Sequence, residues 1–271
     1  MPQYDRFAVL TVGQPGQDGA LIEGLRIQFS IKKTEMAQPN TSAITVYNLQ
    51  ESVRNKLGTT GNVAILKAGY KQAEELQRII CEMDVVDAQT TVSEPEVSTA
   101  LVCGDGVNKL RTVKTSKSFI PGKSAKDILA EVVADAGMTL RSMGEIADEV
   151  FDNGFSEAGP LNDILTKLSG KLAARWSIQN GEVQLTPIGQ PADDTVLLLD
   201  NSTGLIGPPQ RRNKVGALET PGQKDGWIAR SLLFPPAEPG SRVRLHSEIS
   251  RIDAVFKVVA VQHTGDTHGQ E

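Results

Sequence analysis

The chain has 271 residues, 23% of them charged, and a formal net charge of -5, which gives room for about two domains, or one with insertions, and no global basic footprint for reading duplex DNA. Aromatic residues make up only 4%, too few for a stacking platform along single strands or a ring-lined carbohydrate groove. No apolar run approaches the roughly 20 residues that span a bilayer, and the start MPQYDRF lacks the regions of a signal peptide, so synthesis in a cytoplasm without a membrane anchor is expected.

From Phe7 to Val12 the chain is apolar, and Gly13 to Gly16 and Asp18-Gly19 mark turns. Leu25, Ile27, Phe29 and Ile31 then alternate with polar residues, the pattern of a half-buried strand. In Thr41 to Leu57 a second alternating strand runs directly into a short amphipathic helix. Ile44 and Val46 share one face, Thr45 and Tyr47 the other. Asn48 is placed to cap the helix, whose apolar stripe is Val53 and Leu57 and which is expected to cover the first sheet with those two residues inward. Asn62 to Tyr70 reads as a strand, Lys71 to Glu75 as a polar turn, and Gln77 to Ala88 as a strand with Ile79, Cys81, Met83 and Val85 on one side. Val97 to Gly104 supplies one more. Cys81 and Cys103 read as buried apolar side chains in a reducing compartment rather than as a disulfide.

Past Gly104-Asp105-Gly106 the character changes. Ser124 and Asp127 form a capping-box-like start, Ile128, Leu129, Val132, Val133 and Ala136 the stripe, and Gly137 the stop of a helix, after which Met138 to Leu140 looks extended. The plan repeats approximately: Leu161, Ile164, Leu165 and Leu168 form a second stripe, and Ala174 to Gln179 a strand. Asn180-Gly181 predicts a tight hairpin between Trp176-Ser177-Ile178 and Val183-Gln184-Leu185. Pro187 to Asp194 is a polar connection, and strands resume at Thr195. Leu205 to Pro209 closes a segment, and Arg211 to Gly226 is loop-like. Trp227 to Leu233, Arg242 to Leu245 and Val255 to Gln262 read as strands.

The residue patterns that catalysis leaves are absent or weak here. His263 and His268 frame Thr264-Gly265-Asp266-Thr267, which could place two imidazoles and a carboxylate around a metal, but the spacing matches no zinc pattern and a surface turn ending a strand is the better reading. His246 completes the histidines. Gly104-Asp105-Gly106 lacks the lysine and hydroxyl of a phosphate loop and reads as a tight turn. Asp193-Asp194 and Glu74-Glu75 read as solvated neighbours rather than as an acid and base pair. No G-x-S-x-G elbow occurs. Lys109, Arg111, Lys114 and Lys117 form a basic run, either a solvated edge strand or the wall of a nucleic-acid channel. No catalytic, cofactor-binding or metal residue is therefore expected, and no cofactor.

The collinear order of four stretches carries a resemblance: Ala43 to Leu49 leading into a helix, Gly122 to Leu129, Trp176 to Leu185, and Gly204 to Gly207 with Phe256 to Val259 and His263 to Gly269. In this order the chain resembles the baseplate hub proteins at the tail tip of contractile-tailed bacteriophages. The resemblance implies an α+β, mainly β fold, with two tail-tube-like β-barrel or sandwich domains at 1–118 and 191–271 and a small α/β insert of two helix-strand units at 119–190. It further implies a homotrimer in the virion baseplate that matches a sixfold tube above to a threefold spike below. Tail-tube or tube-initiator protein, central spike, and baseplate wedge or tape-measure proteins would be its partners, with DNA only in transit. Two departures stand out: Arg211 to Gly226 is longer than the family loop, and no aromatic-containing closing strand precedes Gln270-Glu271, so the second barrel is expected to stay open or be closed by a partner. The alternatives by residue chemistry are a hydrolase or cell-wall-processing domain of a phage or secretion particle, and a soluble adaptor with no virion role.

Overall fold

The computed structural model describes residues 5–188, 195–212 and 226–268. The chain opens with β1 (Arg6–Gly13), β2 (Ala20–Ile22), β3 (Ile27–Thr34), β4 (Thr41–Tyr47), α1 (Glu51–Leu57), β5 (Val63–Tyr70), β6 (Ala73–Ser93) and β7 (Glu96–Gly104). Helix α2 (Val107–Thr112) leads to the insert: β8 (Lys114–Phe119), β9 (Lys123–Ser124), α3 (Ala125–Asp135), β10 (Leu140–Ser142), β11 (Val150–Phe151), β12 (Phe155–Pro160), α4 (Leu161–Lys171), β13 (Ala174–Gln179) and β14 (Glu182–Pro187). Then come β15 (Val196–Leu199), β16 (Gln210–Arg212), β17 (Gly226–Ile228), β18 (Arg242–Ser247), β19 (Ile252–Lys257) and β20 (Ala260–Asp266). The architecture is mainly β, of the α+β class.

An eight-stranded antiparallel sheet in the order β2-β1-β5-β6-β7-β4-β3-β20 dominates the molecule. Period-2 alternation sends Ile27, Phe29, Ile31, Ile44, Val46, Leu66, Met83 and Leu101 into one core. Helix α1 lies on that core, with Leu57 buried and Val53 packed beside it, as the stripe predicts. Asn48, in contrast, does not cap the helix: the N-cap is Gln50, whose side chain makes no capping bond. Asn48 instead takes a left-handed φ of 57°, and its Oδ1 accepts the Val97 N–H at 3.1 Å while its own N–H donates to Val97 O at 2.7 Å. The strand-to-helix corner is thus tied to β7, because an asparagine that tolerates positive φ can bond a neighbouring strand as well as a helix end.

The even alternation expected along β6 breaks at a bulge. Leu66 pairs with Cys81 but Lys67 with Ile79, so Ile80 is the extra residue. Ile80 is 1% exposed and Ile79 46% exposed, the reverse of the expected facing at Ile79.

In the insert, β14 lies parallel to β10 and antiparallel to β13. The capping box is present, with Asp127 N–H donating to Ser124 Oγ at 3.1 Å, and Gly137 stops the helix at φ 64°. Both helical stripes close on a core that includes Trp176, Ile178, Val183 and Leu185. Asn180 and Gly181 take φ of 54° and 79°, the two positive values of the tight hairpin. The basic run divides: Lys109 and Arg111 lie on α2, Lys114 and Lys117 on β8, which among the described residues pairs only with β12. Lys117 is engaged by Glu131 and Asp135.

The last third departs most from its sequence reading. Trp227 to Leu233 is a strand only at β17, and Ser231 makes a single bridge to Leu205. Val255 to Gln262 is split between β19 and β20. A three-stranded sheet β15-β18-β19 encloses Leu199, Val243, Leu245 and Ile252, while β16 and β17 form a ribbon at the ends of the Arg211 to Gly226 loop, whose residues 213–225 lie outside the described ones. One element of the expected 191–271 domain lies with the first sheet. Strand β20 pairs with β3 over Ala260 to Asp266, so it completes the first sheet instead of the second. Its alternation, with His263 inward opposite Ile31, fits the inward row of β3.

Candidate functional site: a buried polar junction

The first sheet meets the insert and the C-terminal segment at a set of buried polar residues. The inward row of β3 continues past Ile27, Phe29 and Ile31 to Lys33, which places an ammonium at 1% exposure. Lys33 Nζ stands 3.8 Å from Glu238 Oε1, and Glu238 Oε2 is 3.8 Å from Arg141 on β10, so one carboxylate faces cations of both the sheet and the insert. Burial lowers the Lys33 pKa, with Glu238 and Asp105 pulling the other way. Nearby, Lys257 Nζ approaches Glu35 Oε1 at 2.8 Å. Burial raises the Glu35 pKa, and Lys257 opposes the rise.

Asp105 is the centre of this junction. It is 0% exposed and accepts the N–H of Asn180 at 3.0 Å, the N–H of Gly181 at 2.9 Å and Asn40 Nδ2 at 3.4 Å. Asn40 in turn donates to Ile178 O at 2.7 Å and accepts Thr34 N–H at 2.8 Å. Gln179 returns from the hairpin to donate to Thr34 O at 2.8 Å. Burial pushes the Asp105 carboxyl up to about 6, although the hairpin N–H groups and Lys33 favour its charge. The Gly104-Asp105-Gly106 segment is a turn, as its sequence predicts, but its carboxylate serves as a socket for the insert hairpin.

His263 does not lie in a surface turn. It sits inside β20 at 6% exposure, and burial, aided by Lys33, lowers its pKa to about 4. His268 follows the strand, its Nδ1 2.9 Å from Thr267 Oγ1, and Asp266 is committed to Arg26 at 2.9 Å and Gln28 at 2.7 Å. The three residues are not gathered around one point, and no group of three or more His, Cys, Asp or Glu side chains that could hold a metal occurs among the described residues. His246 stands 3.8 Å from Asp253 at the surface. Glu74 is exposed; Asp193-Asp194 lie outside the described residues. Burial raises the Cys81 thiol well above its ordinary value and Cys103 to about 12, so both stay protonated, and both are free. No helix among the described residues is long and apolar enough to cross a membrane.

A cleft of about 580 Å³ lies where the curled sheet brings β1 towards β20. Strand β2 covers β1 only at Leu10 to Val12, and Arg6 reaches across to donate to Asp266 O at 2.7 Å. Phe7, Ala8, Phe29, Gly265, Leu232 and Leu233 contribute to its walls. The ring of Phe29 covers Gly265, where a Cβ would stand 2.4 Å from Phe29 Cζ.

No family model and no curated protein sequence matches this chain. Solved structures do. A tail protein from Neisseria meningitidis MC58 superimposes with a TM-score of 0.60 at 10% identity, covering 96% of this chain and 92% of that one. The 43 kDa tail protein of prophage MuSo2 from Shewanella oneidensis gives 0.60 at 10% identity, over 95% and 94% of the two chains. The E. coli c3393 protein, described as a component of the type VI secretion system with structural similarity to the T4 bacteriophage tail proteins gp27 and gp5, gives 0.55 at 8% identity, over 94% of this chain and 72% of that chain. At such identities the likeness concerns the fold, and the chain has the fold of phage tail proteins across nearly its whole described length.

Proposed function

We propose that the chain is a structural, non-catalytic hub of a phage tail baseplate, which joins the tail tube to a central spike and lines the passage used by tape-measure protein and DNA. The observation that carries this reading is the near end-to-end likeness to two tail proteins, over more than nine-tenths of both chains. The arrangement of polar groups supports a mechanical role. Asp105, Asn40, Lys33 and Glu238 are engaged with one another or with backbone across the junction of three parts of the chain, rather than converging on an open cavity. A homotrimer would let an open-edged sheet be completed by its neighbour. Tube or tube-initiator, spike, and wedge or tape-measure proteins are the proposed partners, and the virion tail the proposed location.

Negative-stain images of the purified chain, alone and with a spike partner, are expected to show threefold rings. A stable monomer that joins no ring or tail particle overturns the proposal. Turnover of peptidoglycan that is lost in His263→Ala would instead favour a cell-wall hydrolase.

A further inference from the structure

Two edges of the first sheet end in backbone that no other strand meets among the described residues. In an antiparallel ladder, successive residues turn their backbone groups alternately to one neighbour and to the other. Asn48 N–H donates to Val97 O, so Val97 and Thr99 of β7 bond β4, and Ser98 and Ala100 bond Thr91 and Gln89 of β6. The groups of Ala88, Thr90 and Val92 therefore point away from β7, on a side where β6 is paired with β5 only as far as Asp84. The Ala88 N–H is met by Asp87 Oδ1 at 2.9 Å, which leaves Thr90 and Val92, both exposed, as the open part of this edge. From Ala88 to Ser93 there is neither the charge nor the proline that blunts an edge strand. The second edge is β20, at one end of the sheet order. Thr267 N–H donates to Ile27 O and Glu35 N–H to Val259 O, so the same alternation turns the groups of Gln262 and Thr264 away from β3.

We propose that these edges mate between copies of the chain: Thr90 and Val92 of one copy lie beside Gln262 and Thr264 of the next and add β6 to β20 as a parallel ladder. Charge complementarity points to a second copy as the occupant. Between Arg78 and Lys109 the sequence has no lysine or arginine, and Asp87, Glu94 and Glu96 are exposed along the β6–β7 hairpin. Cations flank the β20 edge instead, with exposed Lys32 opposite Gln262 at one end and Arg6 at Asp266 O at the other. The direction follows from the spacing. Val92 beside Thr264 carries Glu94, two residues on, to Asp266 and Arg6, and leaves Asp87 at the Lys32 end; the reverse direction would carry Glu94 past Lys32 to Ala260. Because the two edges differ, the contact is head to tail, and each copy keeps one edge of each kind for a further copy. The pairing rests on the reading of the chain as a ring-forming hub, and it names the surfaces that close the ring.

Proline tests it, because an outward N–H can be removed without touching the bonds to the strand's own neighbour. In sedimentation of the intact chain, a ring is expected for the native sequence and a monomer for Thr90→Pro and for Thr264→Pro. An equal mixture of the two variants is expected to give a dimer and nothing larger, since one good edge of each kind remains. Should proline unfold the chain, cysteines supply a second measurement: Val92→Cys and Thr264→Cys chains, mixed and oxidised, are expected to form a disulfide dimer that Ile120→Cys with Thr264→Cys does not. Rings that persist in both proline variants, or no disulfide between Val92→Cys and Thr264→Cys, overturn the pairing and leave the hub reading standing. Assembly lost in Thr264→Pro but kept in Thr90→Pro gives the β20 edge to another strand and likewise overturns it. A native chain that stays monomeric overturns both.

Discussion

Asp105 accepts the backbone N–H of Asn180, 75 residues along the chain, at 3.0 Å and so holds the tip of the insert hairpin against the end of the first sheet. One carboxylate does for the two units what a helix cap does for a helix: it satisfies N–H groups that would otherwise face a buried surface without acceptors.

Removing that acceptor exposes its role. Asp105→Ala leaves the Asn180 and Gly181 N–H groups without the oxygens that receive them at 3.0 and 2.9 Å. A destabilisation of about 2–3 kcal/mol is expected from urea unfolding near about pH 4, shrinking towards neutral pH as the buried carboxyl loses its proton. Alanine at the neighbouring Asn108, whose contact to Asp84 runs through its backbone N–H, should change stability by about 0.5 kcal/mol or less.

The pH dependence of stability separates two buried groups with opposite signs. His263 is lowered in the fold to about 4, so the stability it supports is full above the ordinary histidine range and is lost as pH falls towards 4. Asp105 is raised to about 6, so its contribution is full below the ordinary aspartate range and is lost as pH rises towards 6. Between these limits the two slopes oppose each other. Stability of His263→Phe is expected to fall with rising pH in this window, and that of Asp105→Asn to fall with falling pH, each by on the order of 2–3 kcal/mol in chemical unfolding.

The β6 bulge makes a paired prediction. Ile80→Ala should cost about 2–5 kcal/mol, because it empties a site that is 1% exposed, whereas Ile79→Ala at 46% exposure should cost less than about 1 kcal/mol. Equal costs in thermal unfolding would contradict the register shift at Leu66/Lys67.

Gly265 is required by the ring that covers it. A Cβ at that position meets Phe29 Cζ at 2.4 Å and Cε1 at 2.7 Å, so Gly265→Ala must displace the ring, at an expected cost of about 1–3 kcal/mol. In a double-mutant cycle, Phe29→Ala should remove most of that extra cost. Additive losses would show that the glycine answers to the backbone instead.

Local rules carried the sequence reading where local rules decide. The inward rows of β3 and β4, the Ser124 cap, the stripes of α3 and α4, and the Asn180-Gly181 turn all follow from periodicity and from residues whose own backbone preferences specify the answer. Lys33 was legible in principle too, since the same alternation that buries Ile31 points it inward. The socket role of Asp105 was not, because a turn aspartate looks the same whether its partners are water or a hairpin that the fold delivers from 75 residues away.

By itself, then, the sequence determined the strands of the first sheet with a regular alternation, the two helices of the insert with their apolar stripes, and how the hairpin turns, because those depend on neighbours a few residues apart. Tertiary structure alone decided that β20 returns to β3, that Ile80 rather than Ile79 faces the core, that Asn48 bonds β7, and that Asp105 and His263 are stripped of water. Each of these depends on which strand edge or donor arrives from a distant part of the chain, and the free energy of burying a backbone edge or a charge is set by that arrival.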